Sequence, residues 1–155
     1  MFSLDVAALH DRVAILELMA RYCDRLDAYD IDGVAATFMI DARSDYGPGR
    51  GGSVLGRDAI RRRIASGQAV FRRTHHQLGH STLEIAGDTA SGVTAAITWH
   101  ERMSGEQELL ALRYVDEFSR VGGQWLIAHR RVEVSVVEGF EGTEWNWWPR
   151  LPPEV

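Results

Sequence analysis

The chain has 155 residues, the length of one domain, and it is long enough to bury a hydrophobic core. Hydrophobic residues make up 45% of it and charged residues 25%, which is the composition of an ordinary globular domain and excludes a disordered chain. The formal net charge of −5 argues against a nucleic-acid partner, because a phosphate backbone is bound by a basic surface.

Cysteine content and the start of the chain bear on the cellular compartment. Cys23 is the only cysteine, so no internal disulfide can form, as is typical of intracellular proteins. The first nine residues lack the basic start and apolar run of a signal peptide, and no apolar stretch is long enough to span a membrane. We therefore expect a cytoplasmic protein with no membrane partner.

The first predicted element is a helix from about Ser3, its N-cap, to about Tyr29. Residues at intervals of three and four predict one stripe that faces the core: Leu9, Val13, Leu16, Ala20 and Cys23. Asp27 continues this stripe, and burial of an unpaired carboxylate is costly. We therefore expect Asp27 to have a partner, either His76 or Arg131, or else the backbone.

Shorter elements follow the first helix. We predict a second helix that starts after Asp30 or Asp32 and runs through Phe38, a strand over Asp41–Tyr46, a glycine-rich loop over Gly47–Gly52 and a third helix over Gly56–Gly67. Three consecutive arginines, residues 61–63, lie on the third helix. They predict a solvated helix face, and an anion-binding role is the alternative.

The second half of the chain has the pattern of β-structure. Four long strands are predicted over Thr74–Ala86, Ser91–Met103, Glu108–Val121 and Gln124–Glu138, separated by short turns rich in glycine. Strands of this length must form a strongly twisted or curved sheet. Helices followed by a meander predict an α+β domain, with the helices packed on one face of the sheet.

The last residues, 140–155, form a tail rich in tryptophan and proline. Three tryptophans (Trp145, Trp147 and Trp148) precede three prolines. An exposed aromatic cluster of this size is unfavourable, so we expect the tail to cover something. It either packs over its own core or a neighbouring subunit, or it closes a ligand cavity.

Polar residues of the long strands suggest acid–base chemistry. In the first long strand, alternation places His76 on one face with Thr74, Leu78 and His80. In the last long strand, Arg131, Glu133 and Ser135 share one face, and the opposite face carries Arg130, Val132 and Val134. An aspartate on one imidazole nitrogen fixes the tautomer, and the other nitrogen then accepts a proton from a substrate. A nearby arginine stabilises negative charge that develops on a leaving group.

Histidines also suggest a metal site, which we consider and set aside. His76, His80 and His100 offer imidazole ligands, but no HxH, CxxC or HExxH motif is present. Side chains four residues apart on an extended strand lie roughly 13 Å apart, too far to share an ion. We therefore expect neither a metal nor another cofactor.

Three local motifs together resemble a known family. They are Arg12-Val13-Ala14-Ile15 through Asp27, then Thr74-His75-His76, and then Trp125-Leu126-Ile127-Ala128-His129-Arg130-Arg131. With helices first and a meander after, the whole chain resembles the SnoaL-like proteins of the nuclear-transport-factor-2-like superfamily. The resemblance implies one SnoaL-like domain over residues 1–155, with a cone-shaped, curved antiparallel sheet wrapped around the N-terminal helices (a cystatin-like roll).

Within this superfamily the pattern is most similar to scytalone dehydratase, hexachlorocyclohexane dehydrochlorinase and bile-acid 7α-dehydratase. The resemblance implies that Asp27 and His76 form the dyad that removes a proton and that Arg131 is a catalytic arginine. His100 falls near a second active-site histidine. The scytalone enzyme has tyrosine immediately before the dyad aspartate, where this chain has Leu26, so assistance of a dehydration would come from His100 or Tyr46.

The resemblance thus implies a cofactor-free elimination, either dehydration or loss of another anion, from a small and mostly apolar substrate. The alternatives are a double-bond isomerase or polyketide-cyclase-like enzyme with the same base, and a non-catalytic ligand-binding or assembly module. We expect five further residues to contact the substrate: His100, Tyr46, Tyr22, Ser135 and Trp99. Both faces of the third long strand carry apolar residues, so we expect a homodimer or homotrimer.

Overall fold

The structure, a computed structural model, describes residues 5–139 and 142–152. The three helices are α1 (Val6–Asp27), α2 (Ile31–Ala35) and α3 (Arg57–Gln68), and a 3-10 turn covers Pro48–Arg50. The six strands are β1 (Phe38–Asp45), β2 (Ser53–Leu55), β3 (Phe71–Ala86), β4 (Thr89–Arg102), β5 (Gln107–Val121) and β6 (Gln124–Glu138). The predicted α+β class is confirmed. No helix in the described ranges is long and apolar enough to cross a membrane.

One sheet contains all six strands in the order β2-β1-β6-β5-β4-β3. Its pairs are antiparallel except for β1 and β6, which run parallel. The β3–β4, β5–β6 and β1–β6 pairs each contain a register shift, and such bulges bend a strand and increase its twist. The long strands therefore curve, and the helices pack into the concave side.

Helix α1 buries a different face from the one predicted. Its core side consists of Ile15, Leu18, Met19, Tyr22, Cys23 and Leu26, whereas Leu9, Val13 and Leu16 are 39–50% exposed. Both stripes repeat at intervals of three and four, so periodicity alone does not choose between them. The stripe with the larger side chains packs against the sheet. Of the five α1 residues predicted to face the core, only Cys23 is buried. The N-cap is Asp5, and the predicted N-cap Ser3 lies outside the described residues.

A buried ion pair ties α1 to the sheet. The Arg130 guanidinium lies on Asp116 through two 2.8 Å hydrogen bonds, and both side chains are at most 1% exposed. The guanidinium carbon is 4.1 Å from the ring centroids of both Tyr22 and Tyr114. Because burial of an unpaired charge is very costly, the Arg130 guanidinium stays on Asp116. The two tyrosine rings that it contacts are thereby fixed in the interior.

The tail adds to the sheet at the edge of β6. The Val134 N–H donates to the Asn146 carbonyl over 2.7 Å, and the Trp148 N–H donates to the Val134 carbonyl over 2.9 Å. Strand β1 pairs with β6 only as far as Asp45, which lies opposite Arg131, so the edge of β6 beyond that point is open to the tail. Residues 146 and 148 of the tail therefore pair with the sheet of their own chain.

Candidate active site

A cavity of about 210 Å³ opens between α1, α3, the concave face of the sheet and the tail. Four of the predicted site residues line it: Tyr22, Tyr46, His76 and His100. Apolar side chains form most of the remaining wall: Leu26, Ile64, Phe71, Leu110, Leu112 and Val132. The cone is thus not filled by its own side chains, and a small apolar molecule with a few polar groups fits its lining.

Asp27 and His76 are in direct contact. Asp27 is the last residue of α1, and its Oδ1 lies 2.6 Å from Nδ1 of the His76 ring. The carboxylate also accepts from the His76 backbone N–H over 2.9 Å and from the Thr74 hydroxyl over 2.8 Å. The His76 side chain is only 5% exposed, and that of Asp27 is 24% exposed. The end of α1 and the start of β3 are thus joined at this contact, which fixes the position of the His76 imidazole.

The environment keeps the aspartate ionised and the imidazole neutral. Burial raises the pKa of Asp27, but the hydrogen bonds and charge of His76 and the Thr74 hydroxyl outweigh this and bring the pKa to about 2. Burial lowers the pKa of His76 below its ordinary value, against the opposing effect of Asp27. At neutral pH the ring therefore donates from Nδ1 to the carboxylate, and Nε2 keeps a free lone pair.

A second imidazole–carboxylate pair lies on the sheet beside the first. His100 on β4 and Glu108 on β5 face each other in the ladder, and the His100 Nδ1 is hydrogen-bonded to the Glu108 carboxylate. Their side chains are 6% and 2% exposed, and Arg50 Nη2 is 3.8 Å from the same carboxylate oxygen. The ring centroids of His76 and His100 are 5.3 Å apart. Two histidines, each with its own carboxylate, therefore share one cavity.

Two tyrosine hydroxyls form another polar group on the wall. The Tyr22 and Tyr46 oxygens are 2.6 Å apart. Burial raises the pKa of both phenols, so both stay protonated. The Arg63 guanidinium carbon lies 4.3 Å from the centroid of the Tyr46 ring, and Arg63 Nη1 donates to the Arg50 and Gly52 carbonyls of the glycine-rich loop. One of the two hydroxyls donates to the other, so the pair can still donate one hydrogen bond to a bound oxygen.

Asp27 reaches the cavity only through His76, and the three remaining predicted site residues lie on the outer face of the sheet. Arg131 donates to Asp45 over 2.8 Å and to Glu133 over 2.9 Å. Its neighbour Arg130 faces the interior, so strand alternation turns Arg131 to the outer face. The prediction that Arg131 is in the active site is therefore wrong as to its position.

Ser135 and Trp99 occupy the same outer face as Arg131. The Ser135 hydroxyl accepts from Arg113 over 3.0 Å, and the Trp99 indole N–H donates to Gln107 over 3.2 Å. Their inward-facing neighbours, Val134 and Thr98, are buried. Neither Ser135 nor Trp99 lines the cavity, because alternation sends their side chains away from it.

His80 does not share the cavity face with His76 as predicted. A register shift between Leu78 and Ser81 interrupts the alternation of β3, and His80 is exposed. In the part of the chain that the structure describes, no three His, Cys, Asp or Glu side chains are grouped so that they could hold a metal ion.

Four residues of the site were not predicted from the sequence: Arg50, Thr98 and Trp145, which line the cavity, and Glu108, which binds the His100 ring. The position of Glu108 could have been predicted from a turn in the sequence. The Ser104-Gly105 turn joins β4 to β5, and a hairpin that closes there sets His100 opposite Glu108. Trp145 reaches the cavity from the tail, with the Arg50 guanidinium 5.1 Å from its ring. The tail thus pairs with its own sheet at residues 146 and 148, and Trp145 forms part of the cavity wall; closure of the cavity by the tail stays a prediction.

The chain matches the model of a known protein family. The model of the SnoaL-like domain matches residues 7–131. No curated protein matches the chain significantly in sequence.

Solved structures share the fold at low sequence identity. The "Putative Scytalone Dehydratase" from Novosphingobium aromaticivorans DSM 12444 is 22% identical with a TM-score of 0.87, over 94% of this chain and 97% of that one. A hexachlorocyclohexane dehydrochlorinase, LinA Type2, is 19% identical with a TM-score of 0.79, over 97% and 99% of the two chains. A protein of unknown function from Nostoc punctiforme PCC 73102, described as having a cystatin-like fold, is 23% identical with a TM-score of 0.66, over 81% and 91%. These likenesses show the fold.

Proposed function

Because this chain belongs to the SnoaL-like domain family and encloses a cavity with a neutral, carboxylate-bound histidine, we propose that it is a cofactor-independent lyase. Its reaction removes a proton from carbon and expels a leaving group from a small, mostly apolar substrate. The names of two similar structures, a scytalone dehydratase and a dehydrochlorinase, describe eliminations and support this class.

The contact between Asp27 and His76 is the observation that carries the proposal. His76 Nδ1 is 2.6 Å from the carboxylate, which leaves Nε2 for a substrate in the cavity that the same ring lines. Asp27 keeps the ring in the reactive tautomer and stabilises the imidazolium that forms when Nε2 takes the proton. His76 is the general base in this proposal, and Asp27 is its positioning residue.

The rest of the cavity suggests what the substrate looks like. Its walls are mainly apolar, and its volume of about 210 Å³ suits a molecule with one or two rings. Within the Tyr22–Tyr46 pair, the hydroxyl that accepts from the other can donate its own proton to a substrate oxygen that becomes negative when the C–H proton leaves. A ketone with an acidic C–H next to the carbonyl has the required groups.

An isomerase with the same base is the second candidate, because a protonated His76 beside a bound enolate can return its proton to a different carbon. The product distinguishes the two reactions, since elimination releases a second molecule and isomerisation does not. An assembly module without catalysis is less consistent with this molecule, because its cone holds a cavity and not packed side chains.

The experiment is a screen of cyclic ketones with hydroxyl or chloride substituents in deuterated buffer. NMR detects exchange of the acidic C–H, and mass spectrometry detects the released or rearranged product. We expect His76→Gln to lower both signals by about 10²- to 10⁴-fold, the usual contribution of a general base. His80→Gln is the matched control, because His80 is exposed on the same strand, and it should stay within about twofold of wild type. Full activity of His76→Gln would refute the assignment.

A further inference from the structure

Two arginines line the mainly apolar cavity, and the proposed reaction uses neither of them. Arg50 belongs to the 3-10 turn and Arg63 to α3, and Arg63 Nη1 donates to the Arg50 carbonyl over 2.7 Å. None of the described residues that line the cavity is an aspartate or a glutamate. A cleft whose lining carries charge of one sign concentrates molecules of the opposite sign. The charge of this cavity wall therefore favours an anion.

Arg63 is the last of the three consecutive arginines on α3, for which the sequence suggests either a solvated face or an anion-binding role. Successive helix residues are about 100° apart, so three in a row do not share one face. Arg61 and Arg62 are exposed, and Arg61 Nε is 2.5 Å from the Asp32 carboxylate. Arg63 is partly buried and lines the cavity. The first two arginines are thus solvated, and only the third lies beside a space that a ligand can enter.

Arg63 has hydrogen-bond donors left over after its contacts with the protein. It donates to the Arg50 and Gly52 carbonyls over 2.7 and 3.1 Å. It also donates to the Ser44 hydroxyl over 3.2 Å. These acceptors are neutral, and within the described ranges no carboxylate forms an ion pair with Arg63, although burial of an unpaired charge is costly. A guanidinium has five N–H groups, so two remain, the number that the two oxygens of a carboxylate accept.

Arg50 places a second positive charge close to the first. Its Nη2 is 3.8 Å from the carboxylate of Glu108, which is itself hydrogen-bonded to His100. Burial lowers the pKa of Arg50, Glu108 opposes this, and the charges of Arg102 and Arg63 lower the pKa further. The arginines therefore repel one another at this end of the cavity, and a negative group on a ligand reduces that repulsion.

We propose that Arg50 and Arg63 form an anion-binding subsite and that the substrate carries a carboxylate, which binds there while its acidic C–H faces His76. This substrate class rests on the function proposed above and specifies the ketone as a small cyclic keto acid. The centroids of the His76 and His100 rings are 5.3 Å apart, whereas Arg50 lies next to Glu108, the partner of His100. The arginines thus bind a different part of the substrate from the reacting carbon, and the carboxylate is a recognition group.

A carboxylate suits this subsite better than a phosphate does. A carboxylate has one negative charge and forms two parallel hydrogen bonds with a guanidinium. A phosphate has three acceptor oxygens and a charge of about −1.5 to −2 at pH 7, which requires more donors than the two that Arg63 retains. Apolar side chains form most of the remaining wall and suit a hydrocarbon ring. The subsite therefore favours a small monocarboxylate.

Binding of a matched pair of ligands to the wild-type protein tests the subsite without turnover. 1-Naphthoate and 1-naphthamide have nearly the same shape, and at pH 7 only the first is charged. In isothermal titration calorimetry we expect naphthoate to bind about 10- to 100-fold more tightly, the usual effect of hydrogen bonds to charged groups. Absence of naphthoate binding, or equal or tighter binding of the amide, would overturn the proposal. Tighter binding of 1-naphthyl phosphate than of naphthoate would overturn the choice of a carboxylate.

Substitution of single arginines locates the preference for the anion. Arg50→Gln and Arg63→Gln remove one charge each and should weaken naphthoate binding about tenfold or more, with less than about a threefold change for naphthamide. Arg62→Gln is the matched control, because Arg62 is exposed on the same helix and does not line the cavity, and it should keep both wild-type affinities. An unchanged preference for naphthoate in both cavity variants would refute the location of the subsite.

A conservative variant separates lost charge from lost structure. Arg63→Lys keeps the positive charge without the paired N–H groups, so it should retain part of the preference that Arg63→Gln loses. Arg63 also holds the glycine-rich loop, and its variants can fail to fold for that reason. In that case Arg50→Gln and the comparison of the two ligands on the wild-type protein still decide.

Kinetics adds a readout that a purely structural role of the arginines would not change. With a keto acid that the protein turns over, Arg50→Gln should raise KM about tenfold or more and keep kcat within about fivefold, because a remote group is bound equally in the ground and transition states. Loss of kcat at unchanged KM would assign the arginine to the reacting atoms and overturn the recognition role.

Failure of the subsite is distinguishable from failure of the lyase function. Turnover of neutral ketones by a protein with no preference for naphthoate would refute the subsite and leave His76 as the base. A preference for naphthoate in a protein that turns over no ketone would support the subsite and refute the lyase. His76→Gln should keep the wild-type preference for naphthoate, because both cavity arginines remain in place.

Discussion

Asp27→Asn tests the carboxylate beside the proposed base while it keeps the volume of the side chain. Asp27 accepts from three donors: the His76 ring, the His76 backbone N–H and the Thr74 hydroxyl. An amide has one acceptor oxygen and an NH₂ group, so one of these donors must face another donor. We expect the variant to lose both stability and rate.

The magnitude follows from the pKa of Asp27. The pKa falls from 3.8 to about 2 in the folded protein. At 1.36 kcal/mol per pKa unit this corresponds to about 2 kcal/mol, an upper value because the side chain is 24% exposed. For a chain of this length the melting temperature should drop by about 4–8 °C. Asp27 also raises the pKa of His76, so its loss makes the base weaker, and we expect kcat to fall about 10²- to 10⁴-fold.

The pH dependence distinguishes the charge from the shape of the side chain. A carboxyl with a depressed pKa stabilises the fold above its unfolded pKa, and this contribution is lost as pH falls through the folded pKa. Urea unfolding at pH 7, 5 and 3 should therefore show a constant gap between wild type and variant down to about pH 5. The gap should narrow at pH 3, between 3.8 and about 2. A gap of the same size at pH 3, or a rate loss below fivefold, would refute the reasoning.

Other substitutions test the remaining contacts. Asp116→Asn leaves the Arg130 guanidinium buried without its counter-ion and should cost about 3–5 kcal/mol in chemical unfolding; a cost below 1 kcal/mol would contradict the buried pair. Arg131→Ala should change kcat less than twofold and the free energy of unfolding by less than about 1 kcal/mol, because the Arg131 side chain is 41% exposed on the outer face. A 100-fold loss of kcat would show instead that Arg131 takes part in catalysis. Trp145→Ala removes part of the cavity wall and should weaken binding of 1-naphthol, a small aromatic probe, about tenfold in calorimetry. An unchanged affinity would show that Trp145 does not contribute to ligand binding.

Local chemistry in the sequence determined the elements and their order. The predicted β6, Gln124–Glu138, agrees with the structure at both ends, because turn residues and alternation are properties of adjacent residues. Asp30 caps α2 through the Gly33 N–H, one of the two caps predicted for that helix. The contact of Asp27 with His76 was also expected, because helix spacing places Asp27 near the end of α1 and the family pattern supplies His76 as its partner.

Only the tertiary structure decided which face of each element is inside. Periodicity separates Arg130 from Arg131 and one stripe of α1 from the other, but it does not say which of the two the sheet covers. That choice depends on what packs against the element, and here the buried pair of Arg130 with Asp116 takes Arg130 inward and leaves Arg131 outside. The same holds for Trp145, whose place in the cavity depends on an edge of β6 that is free only because β1 stops at Asp45.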